Sequence, residues 1–127
     1  MSNTIYYRDS EAVPLHNAAS SLPTPTADAG GDISSARYGA SSDRDGSLRI
    51  TANGTGTITS PKLRGKDGSA WYDLGDLNDG ATIDLTSGMG WSRPVFDVGQ
   101  FDRLAIEGGV TGGIKVTVTY VPAEAHG

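Results

Sequence analysis

Residues 114–121, Ile-Lys-Val-Thr-Val-Thr-Tyr-Val, alternate apolar and polar side chains almost without interruption. A period of two, following the glycine pairs Gly108-Gly109 and Gly112-Gly113, predicts a β-strand with one dry face and one wet face. From residue 43 onward the same rhythm recurs in short runs cut by Asp-Gly and Asn-Gly. The predicted strands cover residues 47–52, 56–60, 70–74, 81–85, 94–98, 101–107 and 114–121. Starts about ten residues apart are the spacing of a sandwich or barrel. No window of useful length places apolar residues at i, i+3, i+4 and i+7. The expected fold is all-β: an antiparallel β-sandwich, jelly-roll-like, over residues 43–122.

Register follows from the rule that directly opposed residues share a face. A three-residue loop, Asn53-Gly54-Thr55, sets Ile50 opposite Ile58 and predicts a hairpin there. A second predicted hairpin sets Ile106 opposite Ile114 and Leu104 opposite Val116, with 108–112 as its loop. The inward faces then carry Leu48, Ile50, Tyr72, Leu74, Ile83, Leu85, Phe96, Val98, Leu104, Ile106, Ile114, Val116, Val118 and Tyr120. Arg103, Lys115, Thr117 and Thr119 face outward.

Residues 1–42 differ. Thr4-Ile-Tyr-Tyr7 suits one short strand. Beyond it Pro14, Pro23 and Pro25 stand among Ala, Ser and Thr, with Leu15, Leu22 and Ile33 at no regular period. This predicts an extended N-terminal arm or linker, ordered by lying on a neighbour; the alternatives are a strap across its own domain or plain disorder. Residues 123–127 form a short tail.

Composition narrows the picture. The chain has 127 residues, enough for one domain, and only 36% are hydrophobic. Eighteen glycines exceed the usual ~7% and point to many turns. A lean core favours help from neighbouring copies. Ten basic against fifteen acidic side chains give a net charge of −5, and the basic ones are dispersed. A phosphate backbone is repelled by such a surface, so no nucleic-acid partner is expected. Cysteine is absent, which excludes disulfides and thiolate metal sites. The N-terminus has no signal-peptide pattern, and no stretch reaches the ~20 apolar residues that span a bilayer. No membrane association is expected of a chain made in the cytoplasm.

Chemistry is sparse. The acid-rich turns Asp43-Arg-Asp45-Gly46 and Asp76-Leu-Asn-Asp79-Gly80 lack the terminal acid that closes a calcium loop. His16 and His126 stand near the ends, far from one another, and no Gly-x-Ser-x-Gly elbow exists. Hence no catalytic, metal or cofactor residues are assigned, and the chain is read as a non-enzyme. Trp71 is placed on the outer face and Tyr72 on the inner one. Trp91 is placed in the loop 88–94, beside Arg93. Trp71, Trp91 and Arg93 are the candidate interaction surface, able to stack on a sugar ring or anchor a protein contact.

Three segments, Asp67-Gly-Ser-Ala-Trp-Tyr-Asp-Leu74, Gly99-Gln-Phe-Asp-Arg-Leu-Ala-Ile-Glu107 and Gly112-Gly-Ile-Lys-Val-Thr-Val-Thr-Tyr-Val-Pro122, complete the pattern. In these segments the chain resembles small accessory proteins of tailed-phage virions: β-sandwich decoration, head-fibre or tail-associated proteins. The resemblance is one of style over residues 43–122: acidic, cysteine-free, rich in Gly, Thr and Ser, with a low-complexity N-terminal arm. It implies a virion structural protein, a capsid decoration or cement protein, that binds a major capsid or tail protein as a homo-oligomer, commonly a trimer. The alternative from another class is a carbohydrate-binding or host-attachment module. A small hydrolase domain with paired acids is a third.

Overall fold

The structure is a computed structural model of the chain. It describes residues 12–18, 30–33, 46–68, 70–95 and 98–123. Nine strands fall in these segments: β1 Val13–Ala18, β2 Gly31–Asp32, β3 Gly46–Ala52, β4 Gly56–Lys66, β5 Trp71–Asp76, β6 Ile83–Leu85, β7 Trp91–Val95, β8 Arg103–Thr111 and β9 Val116–Pro122. One sheet has the order β1-β9-β3-β7. The other runs β2-β8-β4-β5, with β6 also paired to β4. All pairs are antiparallel.

The pairing is nested. β1 pairs with β9, β2 with β8, β3 with β7, and β4 with β5 and β6. Successive strands switch sheets, except where β4 returns directly into β5 and β6. A long antiparallel ribbon wound into two facing four-stranded layers gives this order. It is the order of a jelly roll, with β5 and β6 forming one interrupted edge strand.

The two apolar faces meet in a single core. Leu48, Ile50, Val116, Val118 and Tyr120 come from the first sheet, and Ile58, Leu63, Ile83, Leu85, Leu104 and Ile106 from the second. Burying each such side chain stabilises the fold by about 1.5–3 kcal/mol. In β9 the alternation is retained: Val116, Val118 and Tyr120 are buried, while Thr117 and Thr119 are half-buried on the outer face.

Both predicted hairpins are overturned. β3 pairs with β7 and β9, not β4, and β8 pairs with β2 and β4, not β9. Residues 53–55 and 112–115 instead carry the chain from one sheet to the other. Ile50 and Ile58 do point to a common interior, but from opposite layers. The two crossings are joined: the Asn53 N–H donates to the Lys115 carbonyl at 3.2 Å, and the Lys115 N–H donates to Asn53 Oδ1 at 2.8 Å.

The boundary expected at residue 42 also moves. β1 and β2 lie inside the segment read as an arm, and Leu15 and Ile33 are core residues. β1 is an edge strand with Pro14 and a bulge between Pro14 and His16, so its sequence shows no clean alternation. His16, expected in a loose end, is a strand residue opposite Val118. Thr4 to Tyr7, residues 34–45 and His126 lie outside the described residues, as does Phe96.

Candidate functional site

β5 and β7 form the facing edges of the two sheets on one side of the sandwich. Between them lies a cleft of about 290 Å³. Its walls include Leu63 from β4, Leu74 from β5, Val95 from β7 and Phe101 from the β7–β8 connection. Leu77, in the 3-10 turn Leu77–Gly80, is buried at its base.

Local sequence explains why this edge stays open. Lys62 pairs with Asp76, but Arg64 pairs with Asp73, so β5 carries one extra residue there. Gly75, at φ 108°, supplies the backbone conformation that this bulge requires. The bulge turns Leu74 toward the cleft and breaks the period of two. The turn that follows holds Asn78, Asp79 and Gly80 at φ 52°, 53° and 82°. Asn78 stabilises it by donating from Nδ2 to the Thr82 carbonyl at 3.1 Å.

Phe101 is the wall that depends most on backbone shape. The 3-10 turn Val98–Gln100 closes with the Phe101 N–H on the Val98 carbonyl at 3.1 Å. The ring then lies flat on Gly65, where a Cβ would stand 2.7–2.9 Å from three ring carbons. The ring also meets Tyr72, with centroids 6.3 Å apart and planes at 45°.

Arg93 crosses the mouth of the cleft. It shares the inward face of β7 with its register partner Leu48, yet the strand is an edge and the side chain is exposed. Its Nη1 donates to the Asp76 carbonyl at 3.2 Å, tying the two sheet edges together. On its far side Arg93 also lines a shallower notch of about 350 Å³ with Asn78, Asp79, Trp91 and Ser92.

Trp91 is therefore not a loop residue. It opens β7 opposite Ile50 and packs, half-buried, against the core. Trp91 and Arg93 do come together. Trp71 does not join them: it lies opposite Lys66 on the outer face of the second sheet, half-buried. Tyr72 shares the inward face with Gly65 and meets the Phe101 ring, but at the sheet edge it is 48% exposed.

The outer face of the second sheet carries an ordered charge network. Arg64 Nη2 and Glu107 Oε2 are 2.7 Å apart, with side chains only 22% and 19% exposed. Asp73 lies 3.8 Å from Arg64 and 3.9 Å from Lys62, and Asp76 lies 4.0 Å from Lys62. The hydrogen bond to Glu107 raises the Arg64 pKa above its ordinary value despite partial desolvation. The Gly75 N–H, donating to Asp73 Oδ1 at 2.9 Å, is the main cause holding the Asp73 carboxyl below its ordinary value. Arg64 and Lys62 add to it. This constellation is structural: each charge is matched by a neighbour on an adjacent strand.

Among the described residues, no three His, Cys, Asp or Glu side chains converge as metal ligands, and no helix is long and apolar enough to cross a membrane. No protein-family model, curated protein or solved structure matches this chain. The signal that sequence reasoning missed was the apolar lining: Leu63, Leu74 and Leu77 read as ordinary core or turn residues. The glycine at 75, between Leu74 and Asp76, is the mark that could have revealed the edge bulge.

Proposed function

We propose that the protein is a non-enzymatic structural component of a virion, a decoration or cement protein that binds a capsid or tail protein as a homo-oligomer, with a trimer expected. The observation that carries this reading is the nested jelly-roll strand order, an architecture used repeatedly by viral capsid and lectin domains. The single apolar core supports it, since side chains from both layers join in one cluster and make a rigid body whose surface can bind. The acidic, cysteine-free composition agrees.

Mass spectrometry of purified particles from an infected host is the direct test. Stoichiometric recovery with the particle supports the proposal, and recovery only in the unassembled lysate rejects it. Light scattering after size exclusion tests the oligomer. Because β1 and β2 belong to the body, a deletion that probes an N-terminal contact should remove residues 1–11 only. Loss of particle binding by that variant, with an unchanged melting curve, locates the contact there.

A second reading, a carbohydrate-binding or host-attachment module, rests on the notch where Trp91 and Arg93 meet Asn78 and Asp79. An aromatic face beside amide, carboxylate and guanidinium groups suits a sugar ring. Titration of tryptophan fluorescence with an oligosaccharide panel decides it: saturable quenching that Trp91→Ala abolishes supports it, and a flat response to every sugar removes it.

A further inference from the structure

We propose that the cleft between the β5 and β7 edges is a binding site for a medium-chain monocarboxylate, with its hydrocarbon tail against Leu74, Leu77 and Phe101 and its carboxylate on Arg93. The site is distinct from any surface that the virion reading requires, and it stands or falls independently of it.

The cleft is chemically complementary to such a ligand. The cleft is lined mainly by aliphatic and aromatic side chains, with Asp76, Arg93 and Gln100 as its polar residues; the Asp76 carboxylate is paired with Lys62 at 4.0 Å. The outer-face cations are already matched: Arg64 by Glu107 and Asp73, and Lys62 by Asp73 and Asp76. Arg93 is different. Among the described residues its only hydrogen bond is to the Asp76 carbonyl, and no carboxylate pairs with it. Asp79 lines the neighbouring notch. A guanidinium presents five donors in a planar fork. With one in use on the Asp76 carbonyl, others remain for a ligand, and a carboxylate can accept two of them in parallel. A neutral ligand leaves that fork to water, and a cation is repelled by it. Size limits the tail. A cleft of about 290 Å³ stands at the lower end of small-molecule sites, which suits one short chain rather than a two-chain lipid.

The test is isothermal titration of the full chain with sodium octanoate, 1-octanol and octylammonium below their aggregation limits. Octanoate is expected to bind saturably, one per chain, at least about tenfold tighter than 1-octanol, the scale of a charge-assisted hydrogen bond. Octylammonium should bind most weakly. Arg93→Gln, at an exposed edge position, should fold normally, lose the preference for octanoate and keep the affinity for 1-octanol. Leu74→Gln should weaken both. Octanoate binding no tighter than 1-octanol, an unchanged octanoate affinity in Arg93→Gln, or the absence of saturable octanoate binding would each overturn the proposal.

Discussion

Replacing Gly65 by alanine should destabilise the fold, although alanine is ordinarily the better strand residue. Gly65 has no positive φ, so the backbone itself accepts a side chain. Relief from glycine's entropy loss should then stabilise by about 0.5–1 kcal/mol. The new Cβ, however, would stand 2.7 Å from Phe101 Cγ and 2.9 Å from each Cδ. The ring is 6% exposed and belongs to the core cluster, so it cannot swing away freely. Overpacking of this kind costs about 1–3 kcal/mol. The clash wins, and the net loss is about 1–2 kcal/mol, read as a fall of roughly 3–8 °C in Tm. Gly90→Ala is the control: its Cβ meets nothing closer than 3.4 Å, again without a positive φ, and it should be neutral or slightly stabilising. Urea unfolding of both variants, repeated in a Phe101→Leu background, separates ring contact from backbone effects. The penalty of Gly65→Ala should shrink by about 1 kcal/mol once the ring is gone. A Gly65→Ala protein as stable as Gly90→Ala, or an equal penalty in both backgrounds, would refute the account of how Phe101 is seated.

Other perturbations test other parts of the molecule. Val116→Asp buries a carboxylate at a fully enclosed position between both layers, and should give insoluble protein with no cooperative melt. Arg64→Met and Glu107→Gln should each lose about 1–2 kcal/mol in urea titrations, because the 2.7 Å pair is charge-assisted and only partly exposed. Asp73 has a folded pKa below its ordinary 3.8, so its contribution is complete above that value and is lost as pH falls through the lower folded value. Tm should therefore drop more between pH 5 and strongly acidic solution in the native protein than in Asp73→Asn. Asn53→Ala removes the acceptor for the Lys115 N–H and should cost about 1 kcal/mol by loosening the two sheet crossings.

What could be read in advance followed from a simple fact: a two-residue period reports the face of a strand and nothing about its neighbours. Leu48, Ile50, Val116 and Val118 were placed inward correctly because each projects into the core, whichever strand lies beside it. The hairpins failed for the same reason. Ile50 and Ile58 share the interior equally well across a sheet or across the sandwich, and a three-residue link serves both. Edge strands were the least legible. β1 carries Pro14 and one bulged leucine, β5 is broken by Gly75, and β7 contains Pro94 with three exposed residues in succession. Trp91 and Arg93 were singled out, but their meeting with Asn78 depends on the sheets aligning edge to edge, a relation that no local pattern encodes. Trp71 fell on a different surface because it lies opposite Lys66 on the outer face of β5, whereas Trp91 and Arg93 share the inward face of β7.

The pairing of the first strand with the last, β1 with β9, has a kinetic meaning. Each nested pair inward from it joins residues less distant along the chain, down to β4 against β5, joined by the short link 67–70. Closure should begin at that innermost bend and spread outward, slowly, since long-range strand partnerships must overcome large loop entropies before any contact repays them. During synthesis β3 gains one of its two lateral partners only when residues 116–122 have emerged from the ribosome. Until then its edge is a template for adhesion to other nascent copies, so the rate at which this final segment arrives governs how much of the product escapes aggregation.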